Sequence, residues 1–171
     1  MTAPEVQWVF DTLDVITTDT ALAWGTASDV ADGAVPVRRI DRNDSEIADG
    51  NIQSRRGELT KSNFVTAEIV DDDSSHGGWG DDYDTEAIVS LRVEGLLRGD
   101  EFGHVHPDGE NGIPFTTLYR RVRDALREQD EHPDVSGQTY HTLFLENGTN
   151  RSGDYEDFYD YRLDCRFAGY D

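Results

Sequence analysis

Apolar positions recur at two different periods along this chain, and each period marks a kind of element. From Pro4 to about Ile16, Val6, Val9, Phe10 and Leu13 fall on one side of a 3.6-residue repeat, which predicts an amphipathic helix. Pro4 suits its first turn, with Thr2 or Ala3 as cap. Thr17 to Gly33 is softer, with Ala21, Leu22 and Trp24 as its only anchors. Val35 to Ile40 (VPVRRI) reads as a short strand that Pro36 pushes toward a sheet edge. Asp41 to Ser62 is polar, contains Gly50 and Gly57, and reads as a long loop.

The period then shortens to two. Phe64 to Val70 and Glu86 to Leu97 are rich in β-branched residues, and Ala87, Val89, Leu91 and Val93 share one face of the second run. The acidic, glycine-rich DDDSSHGGWGDDYDT between them is too long for a tight turn and reads as an extended hairpin arm or a mobile loop. From Pro114 the helical period returns: Phe115, Leu118, Tyr119, Val122, Ala125 and Leu126 form one stripe, and Pro133 ends the segment. Thr139 to Leu145 is a strand, NGTNRSGD a connection, and Phe158 to Tyr170 a long last strand. In that strand Tyr159, Tyr161, Leu163, Cys165 and Phe167 alternate with Asp160, Arg162, Asp164 and Arg166. Such alternation means one packed face and one that is wet or against a partner. The expected fold is α+β: one domain over 1–171 with an antiparallel or mixed sheet of four to five strands. An N-terminal helix and one central amphipathic helix pack on it, and long loops fall near 41–62, 71–85 and 99–112.

Charge changes the picture of the surroundings. Acidic residues number 36 against 15 basic ones, for a formal net charge of −21, and Lys61 is the sole lysine. Like charge at that density strains a compact state unless salt screens it, and at 1 M the Debye length is about 3 Å. A disordered acidic chain would lack aromatics, whereas this one has 3 Trp, 7 Tyr and 7 Phe in periodic segments. The composition therefore reads as a globular protein adapted to concentrated salt. No apolar run has the length to span a bilayer, and no basic-then-apolar leader opens the chain, so synthesis in a cytoplasm is expected. Cys165 stands alone and has no internal disulfide partner.

Candidate chemistry is sparse. His104 and His106, with Asp108 and Glu110 behind them, could share a metal if they lay on a strand. Gly103, Pro107 and Gly109 make the segment a surface loop instead. Asp71, Asp72, Asp73, Asp81, Asp82, Asp84 and Glu86 attract hard cations diffusely but lack calcium-loop spacing. No nucleophile elbow, phosphate loop or dinucleotide fingerprint occurs, and no basic stripe marks a nucleic-acid reader. Cys165 reads as a small core residue. The residues suited to a protein interface are Asp72, Trp79 and Tyr83 in the acidic arm, Arg120 on the central helix, and Arg162 and Arg166 on the wet face of the last strand.

The element order, from the N-terminal helix through VPVRRI and the long-tipped hairpin to the closing FYDYRLDCRFAGYD, resembles the tail terminator proteins of long-tailed viruses. With the salt-adapted composition, the resemblance implies a virus of a halophilic archaeon. It also implies a structural role without catalytic residues, metal or cofactor. Such a protein forms a ring, expected to be a hexamer, on the tail tube protein, and it presents a face to a neck or connector protein. DNA passes through without specific binding, and the location is the virion tail or neck. The segments Asp41–Ser62 and Gly99–Gly112 depart from the compact family pattern, which leaves room for a head-closure or tail-completion protein. From another class comes a small metal-dependent hydrolase built on His104 and His106.

Overall fold

A computed structural model of the chain describes residues 2–17, 22–31, 34–43, 52–76, 83–96, 113–152 and 158–170. Helix α1 (Pro4–Thr12) runs into a 3-10 turn (Leu13–Thr17), so the first predicted helix is present with a tightened end. Its cap residue, Ala3, makes no side-chain capping bond. The other end is tied down by tertiary contact. Arg39 Nη1 donates to the Phe10 carbonyl at 2.7 Å and pairs with Asp14, while its guanidinium lies 4.1 Å over the Trp24 ring. A cation on the last carbonyls of a helix also complements its dipole.

The sheet is mixed and six-stranded, in the order β1-β2-β3-β4-β6-β5. Its strands are β1 (Leu22–Trp24), β2 (Val35–Asp41), β3 (Asn63–His76), β4 (Tyr83–Leu96), β5 (Thr142–Asn150) and β6 (Phe158–Tyr170). β1, β2 and β3 are parallel, and the other pairs are antiparallel. The expected α+β class holds, with one strand more than the upper expectation. Helix α3 (Phe115–Arg127) and α1 cover one face.

Four local expectations are corrected. The segment 41–62 is not all loop, because Ile52–Leu59 forms helix α2. Among its described side chains Leu59 is fully buried, and the helix is held by Glu58, which pairs with Arg38 and Lys61 at 3.1 Å each. Pro36 is not on the edge strand, since three-residue β1 lies outside β2 with Ala23 opposite Pro36. Of the range 71–85, residues 71–76 and 83–85 are paired strand, which is the extended-hairpin alternative and not the loop, and 77–82 lie outside the described residues. β5 continues through NGTN to Asn150, past an irregularity where Asn147 takes φ 57°.

The core sits between the helices and one sheet face. Val65, Ala67, Ala87, Val89, Leu91, Val93, Leu163, Cys165 and Phe167 point into it, all at most 3% exposed. On β6 the apolar set is the one the alternation predicts. Tyr119 of α3 stacks on Tyr161 at 4.1 Å, and Phe115 stacks on Tyr159 at 4.9 Å. Cys165 is completely buried, and desolvation pushes its thiol up from 9.0 to about 12. The unfolded chain therefore releases this proton first as pH rises. Stability is fully present below about pH 9 and falls toward pH 12, by about 1.4 kcal/mol per unit. Cys165→Ala should flatten that alkaline limb in denaturant titrations at pH 8 to 11; an unchanged slope would refute the assignment.

The open face and free edges of the sheet as a candidate interaction surface

The second face of the sheet carries every even-numbered position of β6. Near β2 it is covered by α2, through a small cluster of Ile40, Leu59, Phe64 and Leu96 with Phe158 against it. The remainder is organised by register into rows that alternate in charge. Glu94 lies opposite Asp160, Arg92 opposite Arg162, and Ser90 opposite Asp164 and beside Glu68. Next come Ile88, Arg166 and Phe144, and then Glu86 with Ala168. The period-2 alternation of each strand produces this face, and antiparallel pairing aligns like positions across it.

Arg166 organises the open end. Its Nε and Nη2 both reach Glu146 Oε1, at 3.0 and 2.9 Å, and its Nη1 lies 3.9 Å from Glu86. It also lies 4.3 Å over the Phe144 ring. The hydrogen bond to Glu146, followed by the charges of Glu146 and Glu86, holds Arg166 above its ordinary value. At the α2 end, Glu94 and Asp160 are 2% and 3% exposed, and Arg162 Nε donates to Asp160 at 3.2 Å. Desolvation, then the charges of Arg42 and Arg162, lower Arg92.

Two stretches of strand edge have no described partner. β2 accompanies β3 only as far as Ala67, where Arg42 N–H closes the ladder at 2.9 Å. From Glu68 to His76 the outer side of β3 is without a described strand, and the register shift between Ile69 and Asp71 falls there, beside Val70. On the opposite side of the sheet β5 is the edge. Its first residues are engaged by Asp130 and Glu131, since Leu143 N–H donates to the Asp130 carbonyl at 2.8 Å. Beyond that, no described strand pairs with the edge as far as Asn150. Val70 and Phe144, at 55% and 41%, are two of the three large hydrophobic side chains exposed among the described residues, and each sits at one of these edges.

The residues proposed from sequence distribute unevenly. Arg162 and Arg166 come together on the open face. Asp72 and Tyr83 lie on paired strands at the far end of the same sheet, opposite Ala87 and His76, rather than on a loop. Arg120 is exposed on α3, in the other layer. Beside it Asp124 takes up Arg123 at 3.2 Å and Arg127 at 4.0 Å. Trp79, His104 and His106 lie outside the described residues. Among the described residues no group of three or more His, Cys, Asp or Glu could hold a metal ion, and no helix is long and apolar enough to cross a membrane. Sequence reading missed Arg42, Thr66, Arg92 and Glu94, although Arg92 and Glu94 share the alternation of Arg162. Arg42 was hidden in an apparent loop. Compared with known proteins, the chain matches no family model and no curated protein sequence.

Proposed function

We propose that this chain is a structural protein of a virus tail, of the terminator kind, and that it closes into a ring through the edges of its sheet. The observation that carries the reading is the pair of edges on opposite sides of β3-β4-β6-β5 that have no strand partner among the described residues, each with an exposed apolar residue beside it. A strand edge is a template for another chain, and proteins normally shield it. Different surfaces on opposite sides make a head-to-tail contact, which generates a ring when the rotation closes. The register shift in β3 and the aspartates after it restrict which chain can add there, and this favours one specific neighbour over indiscriminate aggregation. A charge of −21 suits a ring through which DNA passes, since an acidic lumen does not hold the phosphate backbone. The proposed neighbours are further copies, the tail tube protein and a neck protein, in the virion.

The test is mass in molar salt, by light scattering, of the wild type and of a Val70→Asp/Phe144→Asp double variant. A closed oligomer is expected for the first and a monomer with unchanged circular dichroism for the second. A wild type that stays monomeric at all concentrations overturns the reading. So does a double variant that assembles normally.

A further inference from the structure

In an acidic chain with 15 basic residues, α3 holds Arg120, Arg121, Arg123 and Arg127 within two turns. Arg120, Arg123 and Arg127 recur at three- and four-residue spacing, so they share one outer flank of the helix. Asp124 engages part of that flank: it accepts from Arg123 at 3.2 Å and lies 4.0 Å from Arg127, beyond hydrogen-bond distance. Arg120 is exposed and has no carboxylate partner among the described residues.

The flank overlooks one free edge of the sheet. Tyr119 stacks on Tyr161 of β6, and the Tyr161 hydroxyl reaches across to β5, where a Cβ on Gly148 would meet it at 2.8 Å. Burial pushes that hydroxyl up, and the charges of Arg123 and Arg127 act on it in the opposite sense. Both groups therefore lie toward β5, along which no described strand pairs from Phe144 to Asn150.

The other free edge, Glu68–His76 of β3, carries Glu68, Asp71, Asp72 and Asp73, and no Lys or Arg occurs from residue 62 to 91. The register shift decides which of these aspartates shares a row with core residues. Before it Ile69 lies opposite Val89, and after it Asp72 lies opposite Ala87 and Ser74 opposite Thr85; Val89 and Ala87 are core residues. Asp72 and Ser74 thus hold register positions in the helix-side row. β3 also runs opposite to β5, because each of the pairs β3-β4, β4-β6 and β6-β5 is antiparallel. A neighbour in the same orientation therefore adds its β3 antiparallel to β5 and brings Asp72 to the side that α3 occupies.

We propose that the basic flank of α3 is a docking surface for the acidic edge segment Glu68–His76 of a second copy, with the neighbour's Asp72 against Arg120 and Arg127. The inference rests on the ring reading and names the partner surface within it. Backbone edges hydrogen-bond to any strand, whereas these arginines select an acidic strand and its register, since a slip by one residue turns Asp72 to the other face.

The experiment measures mass by light scattering in about 1 M salt, where a screening length of about 3 Å leaves only charges in contact to act. The wild type should form the closed oligomer. Arg120→Glu/Arg127→Glu and Asp72→Arg/Ser74→Arg each set like charges together and should stay monomeric with unchanged circular dichroism. Mixed in equal amounts the two variants should assemble, because each helix then meets a strand of opposite charge. An oligomer from the helix variant alone, or a mixture that stays monomeric, overturns this inference and leaves the ring reading standing. A monomeric wild type overturns both. If a variant does not fold, phenylglyoxal labelling of the wild type decides the matter. Arg120 and Arg127 shielded in the oligomer but reactive in the Val70→Asp/Phe144→Asp monomer support the surface, and equal labelling overturns it.

Discussion

Diluted from molar salt to about 0.01 M, this protein should lose its far-ultraviolet dichroism and its cooperative melt, as the screening length grows from about 3 Å to about 30 Å. The net charge of −21 is the general cause, and the sheet register supplies a specific one. Asp164 lies directly opposite Glu146, Glu94 opposite Asp160, and Asp73 opposite Glu86. Like charges directly opposite on a sheet destabilise it, and each such pair is tolerable only when screened or bridged. Arg162 takes up Asp160, and Arg166 bridges Glu146 and Glu86, the register partner of Asp73, across 3.9 Å on the Glu86 side. The hairpin end of β3 and β4 should therefore melt first. Hydrogen exchange across the dilution series should show protection lost there before it is lost in β6. A melt unchanged down to about 0.01 M salt would sink the idea.

Phe167→Ala should cost about 3–5 kcal/mol, a large share of the stability of a domain this size. Phe167 is fully buried on β6 and is the meeting point of three separate parts of the chain. Trp8 of α1 meets its ring edge-on at 5.4 Å, and Tyr140, before β5, lies at 5.3 Å. Tyr140 in turn donates its hydroxyl to buried Glu5 of α1 at 2.8 Å. Removing the ring leaves a cavity against a helix, a strand and a connecting segment that cannot all collapse together. The measurement is denaturant unfolding in high salt, followed by dichroism, with a fall in midpoint and an unchanged slope. A loss below about 1 kcal/mol would show that α1 is not anchored through this contact.

The long periodic segments were legible because burial on one side of a regular element leaves a repeat in the sequence. α3 shows this best: Phe115, Leu118, Tyr119, Val122, Ala125 and Leu126 form one stripe, and all but the partly buried Tyr119 are buried. β6 spans the predicted Phe158–Tyr170, with the same residues facing in. The candidate interaction surface was legible only in part. Arg162 and Arg166 stood out as the polar half of an alternation. The row that joins Arg162 to Arg92 and Thr66 depends on register across the β3–β4 hairpin and between β4 and β6, which are distant along the chain, and that leaves no local trace.

By itself, the sequence determined the α+β class, the packed and open faces of each long strand, the buried state of Cys165 and the acidic surface. These follow from period and composition, which are properties of neighbouring residues. Tertiary structure alone decided the rest. Helix α2 forms over a polar segment because Arg38 and the buried Leu59 hold it against the sheet. The aspartates after Val70 join β3 because β4, itself held by β6, offers a ladder to pair with. Arg92 and Arg162 become neighbours because β4 and β6 place them side by side. In each case the deciding energy comes from a partner distant along the chain, which no local pattern encodes.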